Sequence, residues 1–322
     1  MPELKSITRN EINQEVVLTA LLVDVKIKKT KNGKKYADLV VQDASMKREV
    51  KLWDADEEDP LMKKRDEPPV VELVALVGEY QGRLQLTIKK IREVDGNTVD
   101  MRALLPSSRW NYDQMKQWLA EFRDRIETLP IKTLVDKMVF EEPYYEKYCT
   151  YPAAKSVHHN FRHGILQHTL EVLKYCVMVA TTKKLTQRQV DRLIAIAFLH
   201  DWAKTIEYEP LPSNQLSDEG KMLGHIFIGA HSAMNIINSI EDFDRDDALI
   251  ILNGILGHHG MMEWGSPVLP KTVEAQILHQ VDKLSGDIES ILSFMDENKE
   301  ATENFTERLW NMGTEYYKGG IS

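Results

Sequence analysis

Leu199-His200-Asp201-Trp202-Ala203-Lys204 is the stretch on which the reading of this 322-residue chain turns. It ends an apolar helical stripe made of Val190, Leu193, Ile194, Ala197 and Phe198, so an imidazole and a carboxylate stand side by side at a helix end. Working outward, His168 lies upstream in Gly164-Ile165-Leu166-Gln167-His168-Thr169. His225 lies downstream after Gly224, followed by His258-His259-Gly260 and by Asp282 in His279-Gln280-Val281-Asp282. Imidazoles and carboxylates together suit borderline divalent metals such as Mn, Fe, Co, Ni or Zn. Cys149 and Cys176 are the only cysteines, which argues against a structural zinc module and a disulfide scaffold.

The order His, His-Asp, His, His-His, Asp resembles the HD-domain metal-dependent phosphohydrolase superfamily over roughly residues 151–292. The resemblance implies that His168, His200, Asp201 and Asp282 hold one divalent ion. It also implies that Asp201 bridges to a second ion held by His225, His258 and His259. The implied cofactor is one or two divalent ions per chain, manganese first, with Co, Fe, Ni, Zn or Mg as the other candidates. Two strings are more specific: His158-His159-Asn160-Phe161 before the His168 segment, and His258-His259-Gly260 before Gly265-Ser266-Pro267. They resemble the YhaM-type 3′→5′ exoribonucleases, which carry an oligonucleotide-binding (OB) barrel before the HD domain. His163 departs from that pattern, where a small residue is usual. Two ions can clamp a phosphodiester and activate water. Asp201 and Lys204 are the catalytic candidates, Lys204 as a cation for transition-state charge. The plainer reading of Lys204 is a helix-end cation.

The first hundred residues read as β. Strands are expected over 15–26, 36–42, 48–53, 70–80 and 83–94, with an Asn32-Gly33 hairpin and a charged, Pro-bounded loop over 54–69. Five strands with the long connection after the third match an OB-fold barrel. From about Thr98 the texture turns helical, with Met115, Trp118, Leu119, Phe122 and Ile126 at helical spacing. Tyr144 to Pro152 reads as an aromatic, Pro-punctuated loop. The expected class is α+β multidomain: an OB barrel over 1–97, a helical linker over 98–150, an all-α HD domain over 151–296, and a C-terminal helix and tail over 297–322.

Charge bears on the substrate. The net charge is −9, but residues 1–100 hold 18 basic against 19 acidic side chains and the remainder 23 against 31. The near-neutral barrel therefore hides a local strip, with Lys26, Lys28, Lys29, Lys31, Lys34 and Lys35 in an acid-free run. Such a run is usually a solvated face; beside a barrel strand pair it can grip a phosphate backbone. Lys26, Lys28, Lys29, Lys34 and Lys35, with Tyr36 and Trp53 as stacking platforms and His159 near the centre, are the substrate-binding candidates. Tyr80 is a further platform candidate. His158 either lines the site or fixes its loop, while His231 and His279 read as packing or supporting residues.

The expected partner is single-stranded RNA, with single-stranded DNA as an extension. No membrane association, a cytoplasmic location and an open question of homo-oligomer formation complete the expectation, because no targeting segment or apolar span stands out. Two other functions compete. A nucleotide or second-messenger phosphohydrolase is disfavoured by the lack of a Gly-Tyr-Pro motif near His258 and of an acidic pair after Asp201. A nucleic-acid-binding protein with an inactive HD domain is disfavoured by the complete ligand set.

Overall fold

The computed structural model describes residues 3–63, 65, 67–80, 82–154, 159–213, 215–297 and 303–319. The chain divides into two units, one of Met1–Ser107 with Leu211–Ser213 and one of the remainder.

The first unit is a closed barrel of β1 (Glu15–Lys29), β2 (Lys35–Gln42), β3 (Lys47–Trp53), β4 (Val70–Tyr80) and β5 (Arg83–Glu93), joined in the order β1-β2-β3-β5-β4. The pairings are antiparallel except β3 with β5, which run parallel through Val50↔Leu86 and Lys51↔Thr87. That order is the OB plan. Side-chain alternation builds it: Leu18, Ala20 and Leu22 of β1 and Val71, Leu73, Ala75 and Val77 of β4 all point into one buried core. β1 runs three residues past its expected end at Lys26. Val25 and Ile27 continue the alternation, and β2 stays paired out to Lys29↔Lys35. The unit also extends beyond residue 97, because Leu104 and Leu105 pack with Leu21 and Val70.

The second unit is helical: α1 (Tyr112–Asp124), α2 (Leu129–Val135), α3 (Tyr144–Thr150), α4 (Gly164–Lys183), α5 (Gln187–Leu199), α6 (Lys204–Glu207), α7 (Asp218–Ile237), α8 (Arg245–Gly257) and α9 (Val273–Glu297). No described helix is long and apolar enough to cross a membrane. α5 starts on a Thr186–Gln189 capping box and is buried throughout Leu193–Leu199. It packs against α4, α8 and α9, so its C-terminal end reaches the middle of the unit.

Two segments differ from the sequence expectation. Residues 144–150 form α3 rather than a loop, since Tyr148 and Cys149 are buried in the core and Tyr148 donates to the Phe198 carbonyl at 2.8 Å. Residues 303–319 are not helical. They double back through bridges Phe305↔Tyr317 and Leu309↔Thr314 around a turn at Gly313. Aromatic and β-branched residues in that stretch favour extended pairing over helix.

Candidate metal centre

Six helices deliver the polar side chains. His168 comes from the second turn of α4, and His200 and Asp201 follow the end of α5. Lys204 opens α6, His225 lies within α7, His258 and His259 follow α8, and Asp282 lies in α9. His168 Nε2 is 3.2 Å from His200 Nε2 and 3.1 Å from Asp282 Oδ1. Asp201 Oδ2 lies 3.6 Å from His168 Nε2 and 3.5 Å from His200 Nε2. Its other oxygen, Oδ1, lies 3.6 Å from His225 Nε2 and 3.7 Å from His258 Nε2. His225, His258 and His259 form a group of their own, with ligand-capable atoms within 4.8 Å of one another. Asp201 thus turns one oxygen to each imidazole group.

Backbone geometry sets these directions. α7 is kinked at Gly224 (φ 70°, ψ 152°), a conformation open to glycine and strained for other residues. The kink frees the His225 amide, which donates to Glu207 Oε1 at 2.9 Å. Gly260 has φ +80°, and a Cβ there would stand 2.0 Å from the His279 ring.

The ring tautomers follow from the hydrogen bonds. Carbonyls only accept, so each Nδ1 facing one carries the proton. His200 Nδ1 donates to Ala197 O at 2.9 Å, His258 Nδ1 to Ile255 O at 2.7 Å and His259 Nδ1 to Trp264 O at 2.8 Å. His225 Nδ1 donates to Glu207 Oε1 at 3.0 Å. In a neutral ring with Nδ1 protonated, Nε2 bears the lone pair, as a metal ligand requires. His168 is braced differently: Nδ1 is 3.3 Å from Ser285 Oγ, which donates to Glu171 Oε2 at 2.7 Å.

Among the described residues, Asp201 Oδ1, His225 Nε2 and His258 Nε2 are buried without a hydrogen-bond partner. Buried polar atoms rarely stay unpaired, and unpaired acceptors converging on one point suit a cation. The donor set of imidazole nitrogen and carboxylate oxygen fits a borderline divalent ion.

The electrostatics agree. Burial alone would raise the Asp201 carboxyl, but the Lys204 ammonium and the imidazoles of His200, His225 and His258 hold it well below the usual range. Asp282 is likewise lowered: burial opposes this, and the His168 hydrogen bond with the neighbouring His200 imidazole outweighs it. Burial lowers His168 and, more strongly, His258, keeping both rings neutral. Burial would lower Lys204, but Asp201, 2.7 Å from its Nζ, raises it.

Other predicted residues fall elsewhere. His159 is fully buried, with Nε2 3.3 Å from Glu171 and its ring 5.1 Å from that of His168. It is not among the described residues lining the cavity beside Asp201 and Asp282. His158 lies outside the described residues. His163 is buried against Tyr112, with Nδ1 on the Cys149 carbonyl, and so fills a packing position. His231 bonds Asn235 on the surface, and His279 Nδ1 donates to His258 O. Sequence reading missed Glu171, Glu207 and Ser285. Glu171 and Ser285 each stand three residues from a predicted ligand on the same helix, which is the one signal they offered.

On the barrel, the lysine strip meets acids from its own strand, from β2 and from the segment after β3. Lys26 pairs with Asp24 at 3.0 Å, Lys28 with Asp38 at 2.8 Å and Lys35 with Glu57 at 2.6 Å, while Lys34 is 3.9 Å from Asp54. Lys29 is exposed. The Tyr36 and Trp53 rings lie 5.3 Å apart, with Lys51 Nζ 5.0 and 5.3 Å from their centroids. Trp53 is exposed and Tyr36 half-buried.

Residues 165–287 match the HD domain family model. A "3'-5' exoribonuclease YhaM" of Listeria innocua is 31% identical over 304 residues, spanning 92% of this chain and 93% of that protein. The protein of the same name from Bacillus licheniformis is 30% identical over 318 residues, spanning 98% of each. Among solved structures, the second OB-fold domain of replication protein A from Methanococcus maripaludis matches 26% of this chain and 87% of that one. Its TM-score is 0.21 and its identity 17%.

Proposed function

The chain belongs to the YhaM 3′-5′ exoribonuclease family of HD-domain proteins, and from that premise we propose that it is a metal-dependent 3′→5′ exoribonuclease acting on single-stranded RNA. The observation that carries the proposal is the division of Asp201: Oδ2 toward His168 and His200, Oδ1 toward His225 and His258. His168, His200, Asp201 and Asp282 would hold one divalent ion; His225, His258 and His259, with the second Asp201 oxygen, would hold another. Bound divalent ions supply an acidified water nucleophile and offset charge on phosphoryl oxygens.

The chain's own groups do the rest. The braced imidazoles present lone pairs without reorganising, and burial keeps His168 and His258 neutral. Lys204 lines the same cavity as Asp201 and Asp282 and brings a fixed positive charge to it. In the barrel, Tyr36 and Trp53 with the Lys51 ammonium form an aromatic and cationic surface suited to unpaired bases and a phosphate backbone. The lysine strip contributes less, because carboxylates already stand beside Lys26, Lys28 and Lys35.

The test incubates the protein with 5′-labelled single-stranded RNA, the matched duplex and a panel of nucleotides, with manganese and with a chelator. A ladder shortening from the 3′ end, lost on chelation and in His200→Ala, is the expected result. Turnover of nucleotides alone would make the protein a small-molecule phosphohydrolase instead.

A further inference from the structure

A cavity of about 460 Å³ opens beside the centre, within the size range of small-molecule sites. Part of its wall is the centre itself: Asp201, Lys204, His258, His259 and Asp282. The remaining wall has different chemistry, and its charged members, Lys283 and Asp287, pair with each other. It includes the indole of Trp264, the face of α9 through Gly286 and Ser290, and the turn at Asn311 and Met312. Trp264 is 49% exposed although it lies beside buried His279. Ser290 is 7% exposed, and its hydroxyl has no hydrogen-bond partner among the described residues. A buried hydroxyl left unpaired in a cavity wall is a place for a ligand's polar atom.

Helix geometry gives the scale. Asp282, Gly286 and Ser290 are spaced four apart on one face of α9, so Ser290 stands about 12 Å along the axis from the carboxylate at the centre. A phosphate at the Asp282 end therefore leaves its nucleoside over Gly286 and toward Ser290. We infer that this half of the cavity is the subsite for the 3′-terminal nucleoside, with the base against the Trp264 indole and a ribose hydroxyl on Ser290 Oγ. The inference rests on the exonuclease reading and adds to it where the last nucleotide sits and how a ribose end is told from a deoxyribose end. Stacking on an indole is indifferent to base identity, which suits an enzyme that removes successive nucleotides.

Isothermal titration of the full chain, loaded with manganese, tests it with adenosine 5′-monophosphate and its 2′-deoxy and 3′-deoxy forms. The wild type should bind the ribonucleotide more tightly than at least one deoxy form. Trp264→Ala should weaken all three by about tenfold, and Trp264→Phe, which keeps a ring, should retain most of the affinity. Ser290→Ala should weaken the ribonucleotide by about three- to tenfold and erase the preference over the deoxy forms. Manganese content should stay at the wild-type level in all three variants. Unchanged binding in Trp264→Ala, or an unchanged ribose preference in Ser290→Ala, overturns the subsite. A wild type that shortens RNA while those variants behave normally keeps the exonuclease reading and loses the subsite. Variant effects as expected in a protein that leaves RNA intact support the subsite and sink the exonuclease reading.

Discussion

The imidazole centre of the helical unit, assembled from residues spread over 168–282, and the lysine strip of the barrel, contiguous over 26–35, end in opposite states. In the centre, ionisable atoms are buried and several acceptors lack hydrogen-bond partners. On the strip, the lysines stay exposed and most of them find a carboxylate. Burying a polar group costs several kcal/mol without a partner, whereas an exposed ion pair is worth about 0–1 kcal/mol. A buried cluster of that kind is one that a bound cation would stabilise. An exposed run can persist for solubility alone.

The sharpest break of that contrast is at Asp201. Asp201→Asn should abolish manganese retention in both imidazole groups and lower RNA turnover by roughly 10²–10³-fold or more, read by metal analysis and the labelled-RNA ladder. Retention of full metal content would mean that the two oxygens do not join the groups. Next comes the bracing behind His168. Glu171→Gln or Ser285→Ala should weaken manganese binding by about 10–100-fold in a calorimetric titration while the fold remains cooperative.

The barrel should respond more weakly and more selectively. Trp53→Ala should cost about 1–3 kcal/mol in single-stranded RNA binding and leave turnover of a chromogenic phosphodiester unchanged. Lys28→Ala should cost less than about 1 kcal/mol, since Asp38 already holds that ammonium; a larger loss would show that RNA displaces the carboxylate.

The smallest expected effect concerns His163, whose ring burial keeps its pKa below the ordinary 6.5. Between the folded value and 6.5 the unfolded chain binds the extra proton, so stability should fall as pH drops below 6.5. His163→Gln should flatten that slope in denaturant titrations at pH 7 and pH 5. An unchanged slope would assign the acid sensitivity to other groups.

Most of the candidate ligands were legible because His200, Asp201, His258 and His259 follow helix ends and His225 follows Gly224, whereas Asp282, in the middle of α9, was legible only from its place in the ordered set. The bracing was not. His200 and His258 are aimed by the Ala197 and Ile255 carbonyls, which carry no side-chain signature, and His225 by Glu207 from another segment. His159 shows the limit most clearly. Its neighbours in sequence suggest a substrate contact, and packing buries it 3.3 Å from Glu171. The pairing of the strip was hidden for a related reason: Asp38 is ten residues from Lys28 in sequence and one strand away in space.

By itself, then, the sequence determined the two-part architecture, the barrel's alternation and the candidate members of the centre, because periodicity and residue chemistry are local properties. Only the tertiary structure decided which oxygen of Asp201 faces which imidazoles, which ring nitrogens carry protons, which lysines are already paired, and that Trp264 and Ser290 share a cavity with Asp282. Those are relations between segments far apart in the chain. Their energies depend on burial and distance, which take values only once the chain has folded.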